Sequence, residues 1–142
     1  MVRRDVPLNA GEFYHLYNRG NNRERIFCER ENYLFFLHRV RRYLASVMDM
    51  VAYCLMPNHY HLLVQIRQTS DVWQTSEVYD ASAGMRRLAI SYTKAMNKRY
   101  ERVGSLFQGA FHAKHVGQDS YLLHLSAQHP PQPSGCWAGE AC

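Results

Sequence analysis

The chain has 142 residues, 46% hydrophobic and 20% charged, a composition that suits one folded domain with its own core and excludes a disordered chain. Its 17 Lys and Arg against 12 Asp and Glu leave a net charge of +5, which permits a polyanionic partner without requiring one. No apolar run reaches the length of a membrane span, the first residues lack a signal-peptide h-region, and Cys28, Cys54, Cys136 and Cys142 show no CxxC spacing, so the expectation is a cytoplasmic protein with reduced thiols.

In chain order, the aromatic-rich residues 12–18 read as a strand, closed by the turn-forming Arg19-Gly20-Asn21-Asn22. Residues 31–46 read as an amphipathic helix with Leu34, Leu37 (or His38), Arg41 and Leu44 at helical spacing. Residues 50–55 and 59–66 read as strands joined by the tight Pro57-Asn58 connection, an antiparallel hairpin. Residues 69–80 are polar and read as a loop. Residues 83–99 carry alanines with Leu88, Ile90, Tyr92 and Met96 and read as a second long helix. After Gly104 comes a strand-like run broken by a glycine, "SLFQGAFHAKHV", and then Asp119 as the N-cap of "SYLLHLS". The order β-α-β-β-α-β is a split βαβ, an α+β fold whose antiparallel sheet carries its helices on one face.

The stretch "MPNHYHLLV" places chemistry on that sheet. Successive side chains of a strand point to opposite faces, so His59 and His61 share one and Tyr60 takes the other. With helices covering the apolar side, the two imidazoles project from the open side, where two neutral nitrogens and an oxygen ligand suit a divalent cation that polarises a phosphoryl oxygen. On spacing alone, such a pair is more often exposed or mutually satisfied histidines. Arg86, Arg87, Lys94, Lys98 and Arg99 on the second helix, and Arg19, Arg23 and Arg25 after the first strand, are candidate phosphate contacts; a solvated charged face is the competing reading. Tyr14, Tyr17, Tyr92, Tyr100 and Phe107 are candidates either for stacking on unpaired bases or for the core.

Five segments in one order, "YHLYNRG", "YCLMPNHYHLLV", "YTKAMNKRY", "GSLFQGAFHAKHV" and "DSYLLHL", resemble the HUH-type single-tyrosine transposases of the smallest insertion sequences, close to the REP-associated tyrosine transposase branch. The likeness covers the chain up to Ser126, so residues 1–126 are taken as the transposase-like domain. It implies a ferredoxin-like or RRM-like core, Mg²⁺ or Mn²⁺ held by His59 and His61, and single-stranded or hairpin DNA as substrate. It also implies a homodimer and cleavage through a 5′-phosphotyrosine link. No nucleotide-binding signature is present, which agrees with a covalent intermediate that conserves bond energy for rejoining.

Residues 127–142 depart from the pattern. Relatives continue with a segment like Arg-Tyr-Ile-His-Leu-Asn-Pro, whose tyrosine is the nucleophile and whose asparagine completes the metal site. Here the tyrosine position falls on Gln128 and the asparagine position on Gln132, and Pro130-Pro131 would interrupt a helix. Codons for residues 128–133 exist that, read one nucleotide later, give Asn-Ile-His-Leu-Asn-Pro, so the expectation is a frameshifted tail. Tyr121 is then the substitute nucleophile, with a packed aromatic at a helix start as its competing reading; His112 and His115 are candidate further ligands. Two function classes stay open: a metal-dependent transposase or single-strand endonuclease, and a degenerate relative that binds single-stranded DNA without cutting it. An RNA-binding module is a third, disfavoured because no RNP aromatic pattern is evident.

Overall fold

The computed structural model describes residues 7–68 and 80–117. Within them the chain runs β1 (Phe13–Arg19), a short 3₁₀ turn (Asn21–Arg23), α1 (Arg30–Leu44), β2 (Met48–Met56), β3 (His59–Ile66), α2 (Ala81–Arg99) and β4 (His112–Val116). The four strands form one sheet in the order β2-β3-β1-β4, with every neighbouring pair antiparallel. Strand β3 thus lies between β1 and β2, and β1 lies between β3 and β4. Each helix connects two strands that run the same way with a third inserted between them, the split βαβ read from the sequence.

Alternation divides the strands cleanly. Tyr14 and Leu16 of β1 and Tyr60, Leu62, Val64 and Ile66 of β3 are buried in one core with Phe36, Val40 and Leu44 of α1 and Met85, Leu88, Tyr92 and Met96 of α2. Phe36, fully buried, sets its ring 5.0 Å from that of Tyr60 and 5.1 Å from that of Tyr92, joining sheet to both helices. The buried Tyr92 hydroxyl donates to the Ile26 carbonyl, as a phenol inside a core must find an acceptor.

Local chemistry sets the helix ends. Glu29 and Asn32 make a reciprocal capping box, in which Asn32 Oδ1 accepts from the Glu29 amide at 3.0 Å and from the Cys28 amide at 2.8 Å. Asp80 caps α2, its Oδ1 accepting from the Ala83 amide at 2.7 Å, so this helix begins at Ala81, two residues before its expected start. The phase of α1 differs from expectation: the buried stripe is Tyr33, Phe36, Val40 and Leu44, while Leu34 is exposed. On α2, Ile90 is likewise exposed and outside the core. Of the aromatics offered for stacking, Tyr14, Tyr92 and Phe107 are core residues. Cys28 is disulfide-bonded, so the expectation of four reduced thiols fails there, and Cys54 forms no disulfide. The expected loop at 69–80 up to residue 79, the Asp119 cap, and the calls on Tyr121, Gln128, Gln132 and the 127–142 tail lie outside the described residues. Among the described residues no helix is long and apolar enough to cross a membrane.

The helical phase is open to direct measurement. Phe36→Ala is expected to destabilise the domain by about 3–5 kcal/mol through the cavity it leaves. Leu34→Ala, on the exposed face, should stay within about 0.5 kcal/mol. Urea unfolding of both variants checks the pair, and equal losses would put the wrong face inward.

Candidate nucleic-acid and metal site

The face of the sheet opposite the helices carries a cluster of imidazoles. Strand β3 contributes His59 and His61, β1 contributes His15, Tyr17 and Arg19, and β4 contributes His112 and Lys114; pairing sets Tyr17 between His61 and His112, and Arg19 opposite His59. From β2, Cys54 and Met56 flank His61 and His59 in register. The rings form a continuous array. His15 lies 4.9 Å from His61 and 4.8 Å from Tyr17 between ring centroids, and Tyr17 stacks on His112 at 5.2 Å with 21° between planes.

The backbone holds this array in place through the Pro57-Asn58 turn. The Pro57 carbonyl accepts from the amides of Ile26 (2.8 Å) and Phe27 (3.0 Å), and the Asn58 carbonyl accepts from the Gly20 amide at 2.8 Å. Gly20 has to be glycine on steric grounds, since a Cβ there would lie 2.0 Å from the Glu24 carbonyl oxygen. On the buried side, Asn18 anchors the neighbouring segment, its Nδ2 donating to the Gly109 carbonyl at 3.1 Å and its Oδ1 accepting from the Arg19 amide at 2.8 Å.

Each β3 histidine has one ring nitrogen engaged. His59 Nδ1 is 2.7 Å from Asn58 Oδ1, and a carbonyl oxygen only accepts, so Nδ1 carries the proton and Nε2 keeps its lone pair in the neutral ring. His61 Nδ1 is 2.7 Å from His15 Nε2. Burial, and then the neighbouring His15 and His59, push His61 down from its ordinary 6.5 to about 4, so its ring is neutral at physiological pH. Burial and then Lys114 also lower His15. Two neutral imidazoles fit a divalent ion that keeps open positions for oxygen ligands. Among the described residues no group of three or more His, Cys, Asp or Glu side chains is placed to hold a metal, so the remaining ligands would be oxygens from water, phosphate or elsewhere in the chain.

A family model described as "Transposase IS200 like" matches residues 12–126, a span that contains every one of these side chains. The chain belongs to the IS200-like transposase family. Among solved structures, a REP-associated tyrosine transposase bound to a REP hairpin shares the fold, with a TM-score of 0.65, 15% identity, and coverage of 88% of this chain and 68% of that one. A second, described as a putative transposase from Deinococcus radiodurans, superposes with a TM-score of 0.49 and 17% identity, covering 90% of this chain and 98% of that one. No curated protein matches the chain.

The basic residues of this transposase-family chain divide by layer. Arg19 lies on the histidine face, where its Nε donates to Gln108 Oε1. Arg23 and Arg25 follow in the turn beside it; Arg23 is exposed, in the left-handed region at φ 58°, and Arg25 is half-buried. Arg86, Arg87, Lys94 and Lys98 are exposed on α2, which packs on the other side of the sheet, so the structure does not gather them with the histidines. Arg99 pairs with Glu29 at 2.8 Å, and the Tyr100 hydroxyl donates to the same carboxylate, tying α2 to the start of α1. His112 joins the cluster, whereas His115 turns to the helix side and pairs with Glu12 at 2.7 Å. Sequence reading missed His15, Asn58 and Lys114 as site residues. The signal for His15 was present in "YHLYN", where alternation puts it and Tyr17 opposite Tyr14 and Leu16, but its neighbour on β3 follows only from the pairing register.

Because His61 and His15 are held below their unfolded values, the unfolded chain binds more protons as pH falls from 6.5 towards 4. Stability is therefore full above about pH 6.5 and declines as pH falls through that window. Urea midpoints at pH 7.5, 6.5 and 5.5 should drop in sequence in the wild type and less steeply in His61→Gln; equal slopes would remove the histidine pair as the cause.

Proposed function

We propose that this chain is a transposase-like cytoplasmic protein that binds single-stranded or hairpin DNA on the histidine face of its sheet, with Mg²⁺ or Mn²⁺ held there by His59 and His61. The observation that carries the reading is the placement, within a chain of this family, of His59 and His61 side by side on the face that the helices leave open among the described residues. The similar structure bound to a REP hairpin supports structured DNA as the partner.

In this reading a bound divalent cation supplies Lewis-acid neutralisation of the scissile phosphate. The chain's own residues do the rest. Asn58 orients His59, Arg19 neutralises backbone phosphate beside it, and Tyr17 and His112 offer a stacked aromatic surface to an unpaired base. Arg23 and Arg25 extend the basic track along the turn. Arg86, Arg87, Lys94, Lys98 and Arg99 supply a second, sequence-independent basic surface on α2. Cleavage follows if Tyr121 delivers its hydroxyl oxygen to phosphorus: the Tyr–O–P bond forms, the P–O3′ bond breaks, and the 3′-oxygen leaves as a hydroxyl after taking a proton. The homodimer belongs to the same proposal.

A second reading has its own observation behind it. Counted without gaps along the resemblance, the tyrosine position falls on Gln128 and the asparagine position on Gln132, with Pro130-Pro131 between them, so a DNA binder that lost its nucleophile by frameshift fits the 127–142 tail. Losing a positioned nucleophile removes on the order of 7–11 kcal/mol of proximity advantage in favourable cases.

Denaturing electrophoresis after incubation with end-labelled single-stranded DNA and Mn²⁺ separates the two. A covalent protein–DNA band that disappears in Tyr121→Phe establishes cleavage and its nucleophile; no band in the wild type, with hairpin binding retained, supports the degenerate binder. For binding itself, affinity for a hairpin should fall steeply with rising salt, and Arg86→Glu with Arg87→Glu should weaken all sequences alike. His59→Ala should abolish Mn²⁺ binding while leaving the circular dichroism spectrum unchanged. Salt-independent binding, or Mn²⁺ retained by His59→Ala, would sink this assignment of the face.

A further inference from the structure

His15 lies outside the histidine pair proposed to hold the ion, yet it touches His61 as closely as Asn58 touches His59. Its Nε2 is 2.7 Å from His61 Nδ1, and its ring is sandwiched beside Tyr17 at 4.8 Å and His61 at 4.9 Å. At that separation the two nitrogens share one proton, because two facing lone pairs repel and leave both atoms unsatisfied. The proton has two possible owners. If His15 Nε2 owns it, His61 Nδ1 accepts and the neutral His61 ring carries its own proton on Nε2, the remaining atom with which it could ligate. If His61 Nδ1 owns it, Nε2 is left as a lone pair.

His59 already shows the second pattern, imposed by the Asn58 carbonyl oxygen, which only accepts. Resting on the metal reading of this face, we infer that His15 is a positioning residue: it accepts the Nδ1–H of His61 and thereby fixes the tautomer in which His61 Nε2 is free to bind a divalent cation. The site would then be built from two matched units, Asn58 behind His59 and His15 behind His61, each turning an imidazole Nε2 into a preset ligand. Acceptors of this kind orient ligating histidines and make them more basic towards the ion.

The tautomer is read without any metal. Long-range ¹H–¹⁵N spectra of the full, metal-free chain should show His61 with a protonated Nδ1 and an unprotonated Nε2. In His15→Phe, which keeps an aromatic ring beside Tyr17 but offers no acceptor, His61 should shift towards the Nε2–H form. In His15→Gln, whose side-chain carbonyl can still accept, the original pattern should return. Mn²⁺ affinity, followed by the loss of the free-ion electron paramagnetic resonance signal, should fall about 10–100-fold in His15→Phe and recover in His15→Gln. A wild-type His61 protonated on Nε2, or a His61 pattern unchanged in His15→Phe, overturns the inference. If the wild type shows the expected tautomer but binds no Mn²⁺, the tautomer assignment stands and the metal reading of the face fails. A His15→Phe chain that does not fold leaves the wild-type spectrum to decide the matter alone.

Discussion

Three backbone amides, those of Gly20, Ile26 and Phe27, converge on the two carbonyls of the Pro57-Asn58 turn, and the geometry of the histidine face descends from that convergence. The turn is the tip of the β2–β3 hairpin and would otherwise be free to sway, as hairpin tips do. Pinned from β1 and from the segment before α1, it starts β3 at a fixed height and holds Asn58 behind His59. The pin needs a residue at position 20 with no side chain, because the Glu24 carbonyl occupies the space a Cβ would take. A glycine that looks like ordinary turn punctuation in the sequence is thus the point at which the site is fastened to the fold.

Much of this was legible beforehand, for physical reasons that differ between elements. Strand β3 was read at its observed bounds because "HYHLLVQI" alternates at its start, is apolar along its length and is bracketed by turn residues. The element order followed once each segment had been typed. The phase of α1 was not legible, since residues 33–37, Tyr-Leu-Phe-Phe-Leu, are apolar on every side and offer two equally good stripes; only packing against Tyr60 and Tyr92 selects Tyr33, Phe36 and Val40. The start of α2 was missed by two residues because the capping role of Asp80 is carried by a single short side chain.

The site was legible by halves. His59 and His61 declare themselves because they lie two apart on one strand. His15 and Lys114 come from strands far away in sequence, and their proximity to the pair is a property of register. The α2 cations show the opposite effect. They cluster in sequence and invite a shared role with the histidines, but helix packing carries them to the other layer. Local pattern decides what a segment becomes, and topology decides what it meets.

The alternation that makes the site also makes the core. Along β1, Tyr14 and Leu16 point to the helices while His15 and Tyr17 point away, and β3 repeats the scheme with Tyr60 and Leu62 against His59 and His61. A slip of one residue between these strands would expose the apolar set and bury the imidazoles, at a cost comparable to unfolding. Both strands are interior to the sheet, each with a hydrogen-bonded neighbour on either side. The backbone under His15, Tyr17, His59 and His61 therefore has no low-energy opening mode of its own: its amides belong to the class that exchanges with solvent only when the whole domain opens, whereas His112 sits on the edge strand β4. The strand scaffold under those four side chains lasts as long as the fold does.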